Sequence, residues 1–160
     1  MKPIKVGLLG IGTVGEGTFN VLKRNQQEIL RRAGRGIEIT MVAARNTDRA
    51  SSLVGAGIDV VGDPFAVVDH PDIDIVIELI GGYELPRELV LRAIANGKHV
   101  VTANKGAGAG DVARGDHGDF DAAAGAAADF FLVAFQDVKG AGANYAKADQ
   151  ADFDGIHVLF

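Results

Sequence analysis

Residues Gly10-Ile11-Gly12-Thr13-Val14-Gly15 place three glycines in the spacing G-x-G-x-x-G, directly after the apolar run IKVGLL at positions 4 to 9. Between a strand and a helix, glycines so spaced do three different things. The first permits a tight turn, the second lets a pyrophosphate approach the backbone, and the third lets the helix pack closely on the strand. The helix that follows presents unpaired amide hydrogens and a positive dipole end to phosphate oxygens. The same spacing can also turn a corner and hold nothing, and a chain with 22 glycines offers it many chances. Glu16, one residue past the motif, suits the helix dipole but would repel a pyrophosphate if its carboxylate faced the turn.

A second set of residues bears on which ligand such a turn would take. Dinucleotide folds often place an acid at the end of the second strand to hold the adenosine ribose. Here that place reads Ala43-Ala44-Arg45-Asn46, without an acid. A guanidinium there pairs with a 2′-phosphate through its planar fork, which tilts the cofactor from NAD toward NADP, with Arg49 assisting. A solvated surface arginine is the alternative. Lys105 follows another apolar run, and its ammonium can steer a carboxylate or support proton transfer; the alternative is an exposed lysine at a helix start. Glu78 lies within IDIVIELI and reads as a hydrogen-bonding partner in a strand rather than an acid catalyst. His70, His99, His117 and His157 have neither metal spacing nor a serine partner pattern, so no metal site is expected.

The elements that must position these residues follow from periodicity. The spacing predicts a strand over 4–9 and one helix from Val14 to about Ala33, whose apolar positions Val14, Phe19, Leu22, Ile29, Leu30 and Ala33 fall mainly on one face before the Gly34-Arg35-Gly36 turn. Strand 37–44 and a short helix over 48–54 repeat the pattern. A weaker strand over 58–61 leads to a helical turn after Asp63-Pro64, with proline at a first helical position. The most apolar run, 73–80, closes at Gly81-Gly82; a helix over about 85–96 ends at Gly97, and 99–103 gives a further strand. Strands alternating with helices imply an α/β doubly wound parallel sheet, the Rossmann fold, covered on both faces.

The chain changes texture near residue 105. Residues 1 to 105 carry 13 Lys and Arg against 12 Asp and Glu, whereas residues 106 to 160 carry 3 against 9, and glycine and alanine fill 24 of those 55 positions. An alanine-rich helix over 119–129 and a sixth strand over 130–135 are the elements that this stretch suggests. The expected division is a dinucleotide-binding domain over 1–135 and a low-complexity remnant, or the start of a further domain, over 136–160. A net charge of -5 argues against non-specific nucleic-acid binding, and no eighteen apolar residues run together to span a membrane. With no cysteine, disulfides, thiolate metal sites and cysteine nucleophiles are excluded, which suits a cytoplasmic protein without a targeting segment.

Three stretches make the reading specific: GLLGIGTVGEGTF at 7 to 19, HPDIDIVIELIGG at 70 to 82 and AIANGKHVVTANK at 93 to 105. Together they resemble the N-terminal NAD(P)-binding domain of homoserine dehydrogenase. The continuation Thr102-Ala103-Asn104-Lys105 is the most particular to that family. The likeness is close over 1–105, and FLVAFQDVKGAG at 131 to 142 only faintly echoes the lead into the family's substrate domain.

The resemblance implies hydride transfer between NADP or NAD, NADP being favoured, and C4 of homoserine, interconverting the alcohol with aspartate 4-semialdehyde. It implies that Gly10 to Gly15 hold the pyrophosphate, that Ile80, Gly81 and Gly82 lie along the cofactor, and that Thr102, Ala103, Asn104 and Lys105 reach the nicotinamide end, Lys105 being the catalytic candidate. It is compatible with a homo-oligomer. The family's substrate-binding acid and proton-donating lysine belong to a later domain for which 160 residues leave no room, so this chain alone is expected to be incomplete for catalysis. Asp137 and Lys139 read as a solvated loop. The alternative function is a cofactor-holding Rossmann module without its own catalytic domain.

Overall fold

The computed structural model describes residues 2–102 and the backbone of 157–159. In chain order the elements are β1 (Ile4–Leu9), α1 (Thr13–Arg24), α2 (Gln26–Ala33), β2 (Ile37–Ala43), α3 (Thr47–Val54), β3 (Asp59–Val61), α4 (Phe65–Val68), β4 (Ile75–Glu78), α5 (Glu84–Ala95), β5 (His99–Thr102) and β6 (His157–Leu159). The sheet order is β3-β2-β1-β4-β5-β6. β1 to β5 are all parallel, and β6 runs antiparallel to β5, with Val101 opposite Val158. The sheet is therefore doubly wound, as expected, with its order reversing between β1 and β4.

Alternation along the strands builds two cores. On one face Ile4, Val6 and Leu8 of β1 and Ile75 and Ile77 of β4 pack against Phe19 and Leu22 of α1, Ile29 of α2 and Val54 of α3. On the other, Leu9, Val76 and Val100 pack against Val67 of α4 and Leu89 and Ala93 of α5. Gly7 points to this second face, where an added Cβ would overlap Val67 Cγ1 and come within 2.9 Å of Ile73 Cδ1; the missing side chain lets α4 close on β1. The pairing of β1 with β2 shifts register between Val6 and Gly7, skipping Thr40. That extra residue explains why Ile37 and Ile39 share the first core with Val42 and Ala44 despite the change from odd to even positions.

Three expectations are corrected. The single helix expected from Val14 to Ala33 is two, because Asn25 leaves helical geometry (φ -97, ψ 17) and the Gln26 side chain donates to Leu22 O at 3.2 Å. Asparagine competes poorly for a helix interior. Ile29 is buried as expected, whereas Val14 and Leu30, expected on the apolar face, are exposed. Pro64 stands at the N-cap of α4 rather than inside its first turn. Helical and strand ends otherwise lie within two residues of the expected ones. Among the described residues a further strand that periodicity did not mark, 157–159, pairs with β5; the helix expected over 119–129, the strand over 130–135 and the boundary at 135 all lie outside the described residues.

Candidate functional site

The carboxyl ends of four strands are tied together by backbone bonds that carry no sequence requirement. Gly10 N–H donates to Ala43 O, Leu79 N–H to Leu9 O and Ala44 N–H to Val61 O, each at 2.9 Å. They frame a cleft of about 670 Å³, within the range of small-molecule sites. Gly10, Ile11 and Gly12 line it at the end of β1, Ala44, Arg45 and Arg49 on the β2 side, and Leu79, Ile80 and Gly81 on the β4 side. This is the point where strand order reverses, the place where ligands bind on open α/β sheets.

Each motif glycine has a separate physical requirement. Gly10 has φ +92, a left-handed conformation that side chains resist, and an added Cβ would lie 3.1 Å from Leu79 O. Gly15 sits in the first turn of α1, where a Cβ would overlap the Gly10 carbonyl oxygen and stand 2.9 Å from its carbon. Gly12 is the reverse case. Its backbone (φ -70, ψ -162) accepts any residue, and nothing lies within 4 Å of an added Cβ. Neither helix geometry nor core packing asks for glycine there, and the space that its missing side chain leaves opens on the cleft. Gly12 is also the N-cap of α1, with no side chain capping the first amides. An anion at that point would meet both the amides and the positive end of the dipole.

The charges around the turn are arranged by α3. Asn46 caps that helix, its side-chain oxygen accepting from Arg49 N–H at 2.9 Å. Arg49 then reaches α1, with Nη2 3.0 Å from Glu16 Oε2 and Nη1 3.5 Å from Ile11 O. Glu16 is thus met by a guanidinium rather than left as bare negative charge beside the turn. Arg45 is exposed at the end of β2, on the cleft.

Glu78 is the last residue of β4 and is fully buried. Its Oε1 accepts from Ile80 N–H at 2.6 Å and its Oε2 from the Thr102 hydroxyl at 2.5 Å. Burial pushes its carboxyl above the ordinary range, and the bonds from Thr102 and Ile80 oppose that rise.

Of the residues singled out by sequence, Gly10, Ile11, Gly12, Arg45, Ile80 and Gly81 come together on the cleft. Thr13, Val14 and Gly15 form the first turn of α1 beside it, and Gly82 (φ +107) leads into α5. Thr102 is buried behind the cleft surface with its hydroxyl on Glu78. Ala103, Asn104 and Lys105, with Asp137 and Lys139, lie outside the described residues. Sequence reasoning missed Gly62 and Pro64 after β3, and Leu85 at the start of α5. The rule that ligands gather beyond the carboxyl ends of parallel strands was the available signal for the first two. His70 and His99 lie at the opposite, amino-terminal edge, where burial lowers the His99 pKa. Among the described residues no group of side chains is arranged to hold a metal ion, and no helix is long and apolar enough to cross a membrane.

Comparison with known proteins places this geometry. The family model for the homoserine dehydrogenase NAD binding domain matches residues 10–128. The homoserine dehydrogenase of Methylobacillus glycogenes is 69% identical over 105 residues, which cover 66% of this chain and 26% of that protein. The homoserine dehydrogenase of Pseudomonas aeruginosa is 61% identical over 105 residues, covering 66% and 24%. A crystal structure of homoserine dehydrogenase from Thiobacillus denitrificans superimposes with a TM-score of 0.61 at 51% identity, covering 88% of this chain and 28% of that one. The chain thus spans about a quarter of the length of these relatives. Because the matched region contains the glycine turn and all the residues that line the cleft, the chain belongs to the homoserine dehydrogenase NAD-binding domain family.

Proposed function

We propose that the cleft holds NADP, or NAD less tightly, and that this chain is the cofactor-binding part of an enzyme that interconverts homoserine and aspartate 4-semialdehyde. The observation that carries this reading is Gly12, a position that the fold leaves free to carry a side chain and that nevertheless has none, at the mouth of an NAD-binding family's cleft. The pyrophosphate takes that space, against the first amides of α1; Ile80 to Gly82 flank the cofactor, and the family resemblance assigns Ala103 to Lys105, which follow the buried Thr102, to the nicotinamide end. A nicotinamide bound there would accept hydride from the alcohol carbon of homoserine or donate it to the aldehyde carbon of the semialdehyde. Lys105 supports proton transfer there.

Thermal unfolding with and without nucleotide tests the binding. At a nucleotide concentration of about 100 times Kd the chain should gain about 2.7 kcal/mol, and the midpoint should rise by several degrees. No rise with either nucleotide would refute the reading. Homoserine-dependent reduction of NADP by this chain alone should be slight or absent, and turnover at an ordinary enzymatic rate, about 1 to 1000 per second, would refute its incompleteness for catalysis.

The preference for NADP rests on Arg45, exposed at the end of a β2 that lacks an acid. Arg45→Ala should weaken NADP by roughly 1.5 to 3 kcal/mol, the range for a charged hydrogen bond, and leave NAD nearly unchanged. Titration of both nucleotides against one preparation checks this. Equal losses would make Arg45 a general electrostatic aid.

A further inference from the structure

Strand β4 is otherwise apolar, with Ile75, Val76 and Ile77 all buried, and packing alone would favour another aliphatic residue at its end. A fully buried carboxyl is costly unless its oxygens are matched to donors. Both donors here come from places that matter to the cleft. Ile80 N–H belongs to the chain that turns away from β4 along the cleft, where it is followed by Gly81 and by Gly82 at φ +107. The Thr102 hydroxyl belongs to the last residue of β5, the register partner of Glu78. On the other side Glu78 is the register partner of Leu9, the residue before the glycine turn.

We propose that Glu78 is a positioning residue for nucleotide binding: its carboxyl holds Ile80 and Thr102 together, so that the Ile80–Gly82 loop stands in its binding arrangement before the nucleotide arrives. An aliphatic side chain would fill the volume equally well but leave the half-buried Ile80 N–H without its carboxyl acceptor at the start of a two-glycine loop. Pre-arranging the loop removes an ordering cost from binding. This inference rests on the cofactor reading above and concerns a residue that touches no nucleotide itself.

The test uses the full chain with Glu78→Leu and Glu78→Gln, measuring NADP affinity well below each midpoint together with amide exchange at Ile80 in the nucleotide-free protein. Leucine should weaken NADP by about tenfold and speed Ile80 exchange. Glutamine, whose side-chain carbonyl still accepts from Ile80 N–H, should bind within about threefold of wild type and keep that amide protected. Leucine with wild-type affinity, or glutamine as weak as leucine, overturns the proposal. The wild-type protein gives an independent check if the leucine variant does not fold. Its Ile80 amide should exchange as slowly as those of β4, and exchange at the rate of an open loop overturns the proposal without any variant. Wild-type protein that binds no nucleotide at all marks failure of the cofactor reading instead, whereas a protected Ile80 amide still reports the carboxyl's hold on the loop.

Discussion

Gly12→Val is expected to abolish nucleotide binding, by at least about 100-fold in affinity, while leaving the fold intact. The backbone at Gly12 lies in the extended region, so a β-branched residue fits without strain, and no atom stands within 4 Å of the new Cβ. The stability change should be about 1 kcal/mol, the loss on replacing a tolerable N-cap by a poor one. The two added methyl groups would occupy the space assigned to the pyrophosphate. Circular dichroism melting and nucleotide titration on one sample separate the effects. An unchanged affinity in a folded variant would show that the three glycines turn a corner and hold nothing.

Gly15→Ala should do the opposite and strike the fold first. A single methyl there overlaps the Gly10 carbonyl oxygen, and neither side of that contact can yield. Gly10 is held at φ +92 with its N–H on Ala43 O, and Gly15 is fixed in the first turn of α1. Overpacking against backbone in this way should cost about 3 kcal/mol, at the upper end of such substitutions. For a domain of this size that lowers the midpoint by about 10 to 20 °C. Nucleotide binding should fall with it, since the same movement displaces the turn. A midpoint within about 1 °C of wild type would mean that α1 does not pack on the turn as described.

The contrast between these two glycines shows where sequence reasoning stops. Both occupy motif positions, and spacing assigns each a role. Which substitution the fold tolerates depends on φ at Gly12 and on the distance from Gly15 to the Gly10 carbonyl, quantities set by how α1 docks on β1. Glu16 carries the same lesson. Its position threatened the turn with negative charge, and the answer came from Arg49, 33 residues away and delivered by α3.

Strand identity, the parallel order of β1 to β5 and the glycine turn were legible in the sequence because each depends on local pattern: apolar runs of strand length, glycines at helix ends and amphipathic helices between them. The family was legible for a similar reason, since the three stretches that carry it are contiguous. Contacts between segments far apart in the chain were decided only by the tertiary structure. Val14 and Leu30, placed on the apolar face by periodicity, are exposed, because the docking of α1 and α2 on the sheet decides which flank of each helix is covered. β6 has only three residues and is defined by pairing with β5 rather than by its own pattern. The Glu78 carboxyl takes its meaning from Ile80 and from Thr102, 24 residues away, which lies opposite it only once β4 and β5 are in register. Local periodicity specifies elements because it reflects which face of each one avoids water; the partners of a buried polar group depend on register and docking, which are properties of the assembled sheet.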